Sequence, residues 1–282
     1  MPVALITGAS TGIGRATALR LARSGWMVAA GVRDPAAGES LVAEAPAGRI
    51  VALGLEVTDQ AQIAAAASQV REQAARAGSA GLDALINNAG IGIGGPVELL
   101  SDEDLRRQFD VNVFGQLAVT RAMLPALRLA RGRIVFISSI GGRVAMAYTA
   151  PYAASKHAIE AFADAMRVEL SNSHIQVALI EPGSVATPIW DKSRRDADRL
   201  QIPAELQANY GAVPAALDKA LADTARRGVA PEQVAETIER ALAARRMRAR
   251  YVVGRDAQAM LMAKRLLPDH VFDRLVHRVL GG

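Results

Sequence analysis

Seven short apolar runs recur along the chain with longer alanine-rich stretches between them, and this rhythm restricts the fold more tightly than any single motif. The runs are "VALIT" (3–7), "MVAAGV" (27–32), "IVALG" (50–54), "ALI" (84–86), "RIVFIS" (133–138), "IQVALI" (175–180) and "YVVG" (251–254). They are apolar almost throughout instead of alternating with polar residues. A strand with no wet face must be covered on both sides, as in a parallel sheet between two helical layers. Helical patterns fall at 13–24, 59–76, 102–129 and 151–171. Strand–helix alternation of this kind predicts an α/β fold, a doubly wound parallel sheet of about seven strands with helices on both faces. No Gly-, Pro- or Ser-rich linker and no repeat divides the chain, so a single domain over 1–282 is expected. The rhythm breaks after Pro188. Residues 189–230 read as a substrate-lid insertion over the sheet edge, and 255–282 as a C-terminal helical tail.

Apolar residues make up 51% of the chain and there is no cysteine, so the fold rests on packing and not on disulfides. The opening "MPVALITGAS" runs straight into a strand without a basic-then-apolar leader, and no apolar run reaches the ~18–20 residues of a membrane span. A cytoplasmic location is the expectation. The net charge is +5, and residues 1–190 balance, so the excess lies wholly in the last third, densest at "RRMRAR" (245–250). Such a run could meet nucleic acid or an anionic surface. A solvated helix end is the reading adopted, with no nucleic-acid partner expected.

Two stretches carry chemistry. "TGASTGIG" (7–14) leaves the first strand and enters the first helix. Glycines there make a tight turn and leave bare backbone where a pyrophosphate can approach a helix N-terminus. "APYAASKHA" (150–158) sets Tyr152 four residues before Lys156, on one helix face. A phenol near pKa 10 is a poor acid–base group at neutral pH. A cation within ~4–6 Å favours the phenolate and pulls that pKa down. His157, His174, His270 and His277 have no metal-ligand spacing with acidic partners, so no metal is expected.

Taken together, Gly8, Gly12 and Gly14 in TGxxxGxG, "NNAG" (87–90), Asn112 in "DVNVFG", Ser139, Tyr152-x-x-x-Lys156 and "PGSVATP" (182–188) resemble the short-chain dehydrogenase/reductase family in order and interval. The resemblance covers about residues 3–190. It implies a Rossmann-type fold, a nicotinamide cofactor and alcohol–carbonyl interconversion. It further implies that Tyr152 exchanges a proton with the substrate oxygen and that Ser139 hydrogen-bonds that oxygen. Lys156 would lower the Tyr152 pKa and hold the nicotinamide ribose, and Asn112 would hold a water linking Lys156 to solvent. The family's serine-to-tyrosine interval selects Ser139 over Ser138.

The resemblance places the cofactor against Gly8, Ser10, Thr11, Gly12, Ile13 and Gly14, then Glu56 and Val57, then Asn87, Ala89 and Gly90, then Tyr152 and Lys156, and finally Val185 and Thr187. Asn88 is expected to tie the sheet together. In "GVRDP" (31–35) Val32 takes the position where an acid would favour NAD, and Arg33 follows it, which favours NADP (NADPH). Asp34 argues the other way, since a one-residue shift would make it the ribose acid.

Substrate contacts are expected from Ser139, Ile140, Met146, Tyr152 and Trp190. Ile189, Trp190, Leu200, Ile202, Leu206, Tyr210 and Leu217 would form a mostly apolar lid. These features predict an apolar carbonyl or alcohol as the small-molecule substrate. The tail looks like that of 17β-hydroxysteroid and retinol dehydrogenases; it could cap the pocket, join a subunit contact or lie on a membrane surface. In related proteins the two long helices pair between subunits, so a homodimer or homotetramer is expected. The alternative function is a non-catalytic NADP(H)-binding regulator on the same fold.

Overall fold

A computed structural model describes residues 1–187, 189 and 202–279. The expected strands form at β1 (Val3–Thr7), β2 (Met27–Val32), β3 (Ile50–Gly54), β4 (Ala84–Asn87), β5 (Arg133–Ile137), β6 (Gln176–Pro182) and β7 (Arg250–Val253). They join one parallel seven-stranded sheet in the order β3-β2-β1-β4-β5-β6-β7. The uniform apolar character of each strand is explained by the two cores. Val3 and Leu5 of β1 face one core, and Ala4 and Ile6 face the other.

The first core is closed by α3 (Gln60–Ala77), α5 (Gln116–Ala130) and α6 (Ala150–Glu169), and the second by α1 (Gly12–Arg23), α2 (Pro35–Glu44) and α8 (Pro231–Ala243). Between α6 and α8 lies α7 (Val213–Arg227), and α9 (Arg255–Leu266) and α10 (Asp269–Val279) follow the last strand. Helix α3 is well delimited: Asp59 accepts from the Ala61 and Gln62 amides at 2.8 and 3.1 Å, and Gly78 closes it at φ +66°.

The single helix expected over 102–129 is instead α4 (Asp102–Phe109) and α5, joined by a π-helical turn at Asp110–Gly115. The wide turn lies where Gly115 passes close to strand-end Val57; a Cβ on Gly115 would stand 2.9 Å from the Val57 carbonyl oxygen. Inserted turns of this kind recur at functional sites, and this one carries Asn112. Two further helices, α2 and α8, lie outside the helical stretches expected from sequence. In α2, Gly38 breaks the helical composition because a Cβ there would come within 2.9 Å of Ala52 Cβ.

Candidate active site

A cleft of about 1330 Å³ opens at the C-terminal ends of the strands. It straddles the point where successive strands diverge, β1 running to β2 on one side and β4 on the other. In open α/β sheets such a crevice is where ligands bind.

One end of the cleft is made of backbone. Gly8 (φ +64°) and Gly12 (φ +52°) adopt the left-handed region that glycine tolerates. Gly14 lies beneath the turn; a Cβ there would meet the Gly8 carbonyl oxygen at 2.3 Å and Asn88 Nδ2 at 2.4 Å. It does not line the cleft, and its role is close packing of α1 against the turn. Gly8, Ser10, Thr11, Gly12 and Ile13 do line it. Thr11 is the N-cap of α1 but offers no side-chain cap, and no acid occupies the first turn. The first amides of α1 are thus left for an anion, and the residues fit a dinucleotide pyrophosphate.

Arg33 and Glu56 face each other across this end at 3.5 Å, and Val57 lines the wall beside them. Asp34 is turned elsewhere: its carboxylate accepts from the Ala36 amide at 3.0 Å and caps α2. The two asparagines at the end of β4 divide: Asn88 ties the sheet as expected, whereas Asn87, expected at the cofactor, lies away from the cleft. Asn87 does not line the cleft; it is buried and donates to the Thr120 hydroxyl at 2.8 Å. Asn88 lines the cleft while its Nδ2 donates to the Thr7 and Gly8 carbonyls at 2.9 and 3.0 Å. Consecutive strand residues point to opposite sides, so only one of the pair can face the cofactor end. Ala89 and Gly90 are in the wall, and the Thr7 hydroxyl accepts from the Ala89 amide at 2.9 Å.

The other end is made of side chains. Ser138 and Ser139 follow β5, and the Ser139 hydroxyl is hydrogen-bonded to the phenol of Tyr152 on α6. Ser139 also accepts from the Gly141 amide at 3.0 Å, which fixes its rotamer. Lys156 is buried; its Nζ donates to the Ile137 carbonyl at 2.7 Å and lies 5.6 Å from the centre of the Tyr152 ring. Burial pushes the Tyr152 phenol above its ordinary value, and the Ser139 hydrogen bond opposes that rise. The downward pull expected from Lys156 therefore does not prevail here. Burial brings Lys156 itself down to about 8, with the charge of Glu160 acting the other way.

Asn112 is buried and lies outside the cleft wall. Its Oδ1 accepts from the Ile91 amide at 2.8 Å, and its Nδ2 donates to the Ile91 carbonyl and to Ser155 Oγ at 2.9 and 3.1 Å. The carboxamide thus ties the π turn to α6 and to the loop that follows β4 into the cleft. Val185 and Thr187, after β6, line the wall between the two ends.

On the substrate side, Ile140 and Met146 line the cleft, joined by Val144 and Met260. Trp190 and Leu200 lie outside the described residues. Of the other expected lid residues, Ile189 and Leu217 reach the cleft, whereas Ile202, Leu206 and Tyr210 do not. Tyr210 instead donates to Glu98 at 2.8 Å. Asp218, Asp223 and Arg227 of α7 also line the rim, so the lid is less apolar than its composition implies. Two further wall residues carry no local sequence signal. Tyr148 sits at φ +63°, rare for a bulky residue. Asp256 of α9 accepts from the Ser184 amide at 2.7 Å, strapping the tail to the loop after β6.

A parallel sheet with a glycine-lined turn at its crossing point defines a dinucleotide-binding α/β protein. The family model described as short chain dehydrogenase matches residues 2–198. Retinol dehydrogenase 5 of Mus musculus is 37% identical, over 98% of this chain and 87% of its own length. The NADPH-dependent 3-dehydrocapnine reductase of Ornithobacterium rhinotracheale is 32% identical, over 99% and 98%. A short chain dehydrogenase/reductase from Burkholderia phymatum, solved in complex with NAD, superposes with a TM-score of 0.79 at 28% identity, covering 94% of this chain and 92% of that one. The chain belongs to the short-chain dehydrogenase/reductase family, whose members are oxidoreductases that use a nicotinamide cofactor, and it has retinol dehydrogenase-like relatives.

Proposed function

We propose that the protein interconverts a carbonyl and an alcohol on an apolar small molecule, with NADP(H) as the cofactor. The observation that carries this reading is the Ser139–Tyr152 hydrogen bond at the cleft wall, with the buried Lys156 ammonium behind it. When bound, the nicotinamide supplies or accepts the hydride. The protein's own groups handle the oxygen. Ser139 donates to it and stabilises the charge that develops there, and Tyr152 Oη gives it a proton in the reducing direction or takes one in reverse. Lys156 lends positive charge to the phenol and reaches the ribose. Because the Asn112 carboxamide is committed to Ile91 and Ser155, a relay water would be held through the backbone of the wide turn.

NADP is preferred because Arg33 faces the cleft while Asp34 is occupied as a helix cap. A guanidinium accommodates a 2′-phosphate, and an acid at that place would select the ribose diol. Gly8, Ser10, Thr11, Gly12 and Ile13 would hold the pyrophosphate end, and Val185 and Thr187 the carboxamide. The apolar wall of Ile140, Val144 and Met146 supports an apolar substrate, and relatives named for retinol and for 3-dehydrocapnine support alcohol–carbonyl chemistry. Self-association through α5 and α6 is favoured by the exposed Phe114, Leu129, Phe162 and Val168 around them.

The test is cofactor oxidation by the purified protein, NADPH against NADH, across steroid ketones, retinal, aliphatic and aromatic aldehydes and quinones. Turnover of one apolar carbonyl class with NADPH is the expected result. Tight NADPH binding without turnover of any class would replace the enzyme reading with that of a regulatory cofactor-binding protein.

A further inference from the structure

Glu160 stands one helical turn beyond Lys156 on α6, and it is buried at 5% exposure. Beside it, Glu181 of β6 is fully buried. Isolated charges in such surroundings cost several kcal/mol each unless they are paired. Arg250, the first residue of β7, does the pairing. Its Nε lies 2.9 Å from Glu160 Oε2 and 3.1 Å from Glu181 Oε1, and its Nη2 donates to Asp164 Oδ2 at 2.6 Å. Arg143, from the turn after β5, reaches Glu181 Oε1 at 3.2 Å.

Among the described residues each carboxylate keeps an oxygen without a partner, Glu160 Oε1 and Glu181 Oε2, and the Ser138 hydroxyl likewise has none. These groups crowd the underside of the active-site turn. A Cβ on Gly142 would stand 2.7 Å from Ser138 Oγ, 3.0 Å from Glu160 Cγ and 3.2 Å from the Lys156 carbonyl oxygen. The glycine is what lets that turn settle onto the lysine and its neighbouring acid.

We propose that Glu160 is a positioning residue, the buried counter-charge that keeps Lys156 an ammonium ion at the acid–base site, with Arg250 clamping its carboxylate in place. The inference rests on the carbonyl–alcohol reading for its purpose, though not for its test. The polar and charged groups around Lys156 and Glu160 come from several elements. Tyr152 shares their helix, Ile137, Ser138 and Ser139 stand at the end of β5, and Glu181 lies on β6. Arg143, from the turn after β5, and Arg250, from β7, reach the carboxylates, and Asn112 donates to Ser155 on α6. Among the described residues Glu160 alone of the acids is on the face and turn next to Lys156, and its charge is the influence that opposes burial there. Glu181 is a weaker support, since burial and the charge of Glu160 push its pKa up to about 6. The clamp is long-range: Arg250 lies 90 residues from Glu160 and beyond residues 2–198, which match the family model.

The chain has four lysines, Lys156, Lys192, Lys219 and Lys264, so lysine labelled at 13Cε gives a spectrum in which Lys156 is identified by its loss in Lys156→Arg. Its titration is followed in the wild type, Glu160→Gln and Glu160→Asp, with circular dichroism to check folding. The expected result is a midpoint lower by about one pH unit or more in Glu160→Gln, a tenfold loss of proton affinity, and by about half a unit in Glu160→Asp. A folded Glu160→Gln whose Lys156 midpoint stays within about 0.3 units of the wild type overturns the proposal. If the glutamine variant does not fold, Glu160→Asp decides in the same way, an unmoved midpoint overturning it. Neither substrate nor cofactor enters this readout, so its failure is distinct from a failure of the carbonyl–alcohol reading, which turnover measures.

Discussion

The two ends of the cleft solve their problems with different materials. The end at Gly8–Gly14 is shaped by backbone: two left-handed glycines, a third pressed under the turn, and an uncapped helix N-terminus. The end at Ser139, Tyr152 and Lys156 is shaped by side chains held in a buried ionic network that reaches to β7. A backbone site tolerates no added atom yet needs no particular side chain. A side-chain site tolerates small shifts of backbone yet depends on protonation. Substitutions at the first should therefore act through sterics and stability, and at the second through chemistry and pH.

The largest expected effect separates the two ends outright. Tyr152→Phe should cut turnover by about 10³-fold or more while leaving cofactor affinity within about twofold, because it removes only the proton donor. Paired kcat and Kd measurements check this, and unchanged turnover would break the catalytic half of the comparison. Gly14→Ala should do the opposite. Its Cβ would be driven against the Gly8 carbonyl oxygen, so an unfolding free energy lower by about 2–3 kcal/mol is expected in urea titrations.

Protonation gives the next contrast. Lys156, with its pKa lowered to about 8, is charged below that pH and neutral above it. Turnover should fall as pH rises past about 8, which a kcat–pH profile checks. The sign for stability follows from the same shift. Between about 8 and the ordinary lysine value the folded state binds fewer protons than the unfolded one, so the stability contribution of this group rises with pH across that window.

Arg33→Ala sharpens the picture of the backbone end, where one side chain does matter. The Michaelis constant for NADPH should rise about tenfold and that for NADH about twofold or less, matching one charge-assisted contact; equal changes would remove the basis for the cofactor preference. The smallest effect is expected at Asn87→Ala, which should leave cofactor affinity within about twofold, whereas Asn88→Ala should weaken it by more. Titration of each variant with NADPH distinguishes them.

Much of this was legible in one dimension. Unbroken apolar strands imply burial on both faces, and the sheet has the two cores that such strands require. Fixed spacings carried the glycine turn and the Tyr152–Lys156 pair, because a tight turn and one helix face are local geometries. The split of the 102–129 helix was not legible, since the π turn answers to the approach of Gly115 to Val57, far away in sequence. Nor was the charged rim of α7 visible in a composition that reads as apolar.

The sequence by itself determined the strand order in the chain, the place of the phosphate-binding turn and the residues able to move a proton. Tertiary structure decided which side chains face the cleft and which serve the frame: Asn88 and not Asn87, Arg33 in the wall and Asp34 on a helix cap. It also brought Arg250 to Glu160 and Glu181, and Asp256 to Ser184. The reason is physical. Periodicity and spacing encode what a segment does with its own neighbours, whereas a buried charge or an unsatisfied amide finds its partner only when distant segments are folded against it.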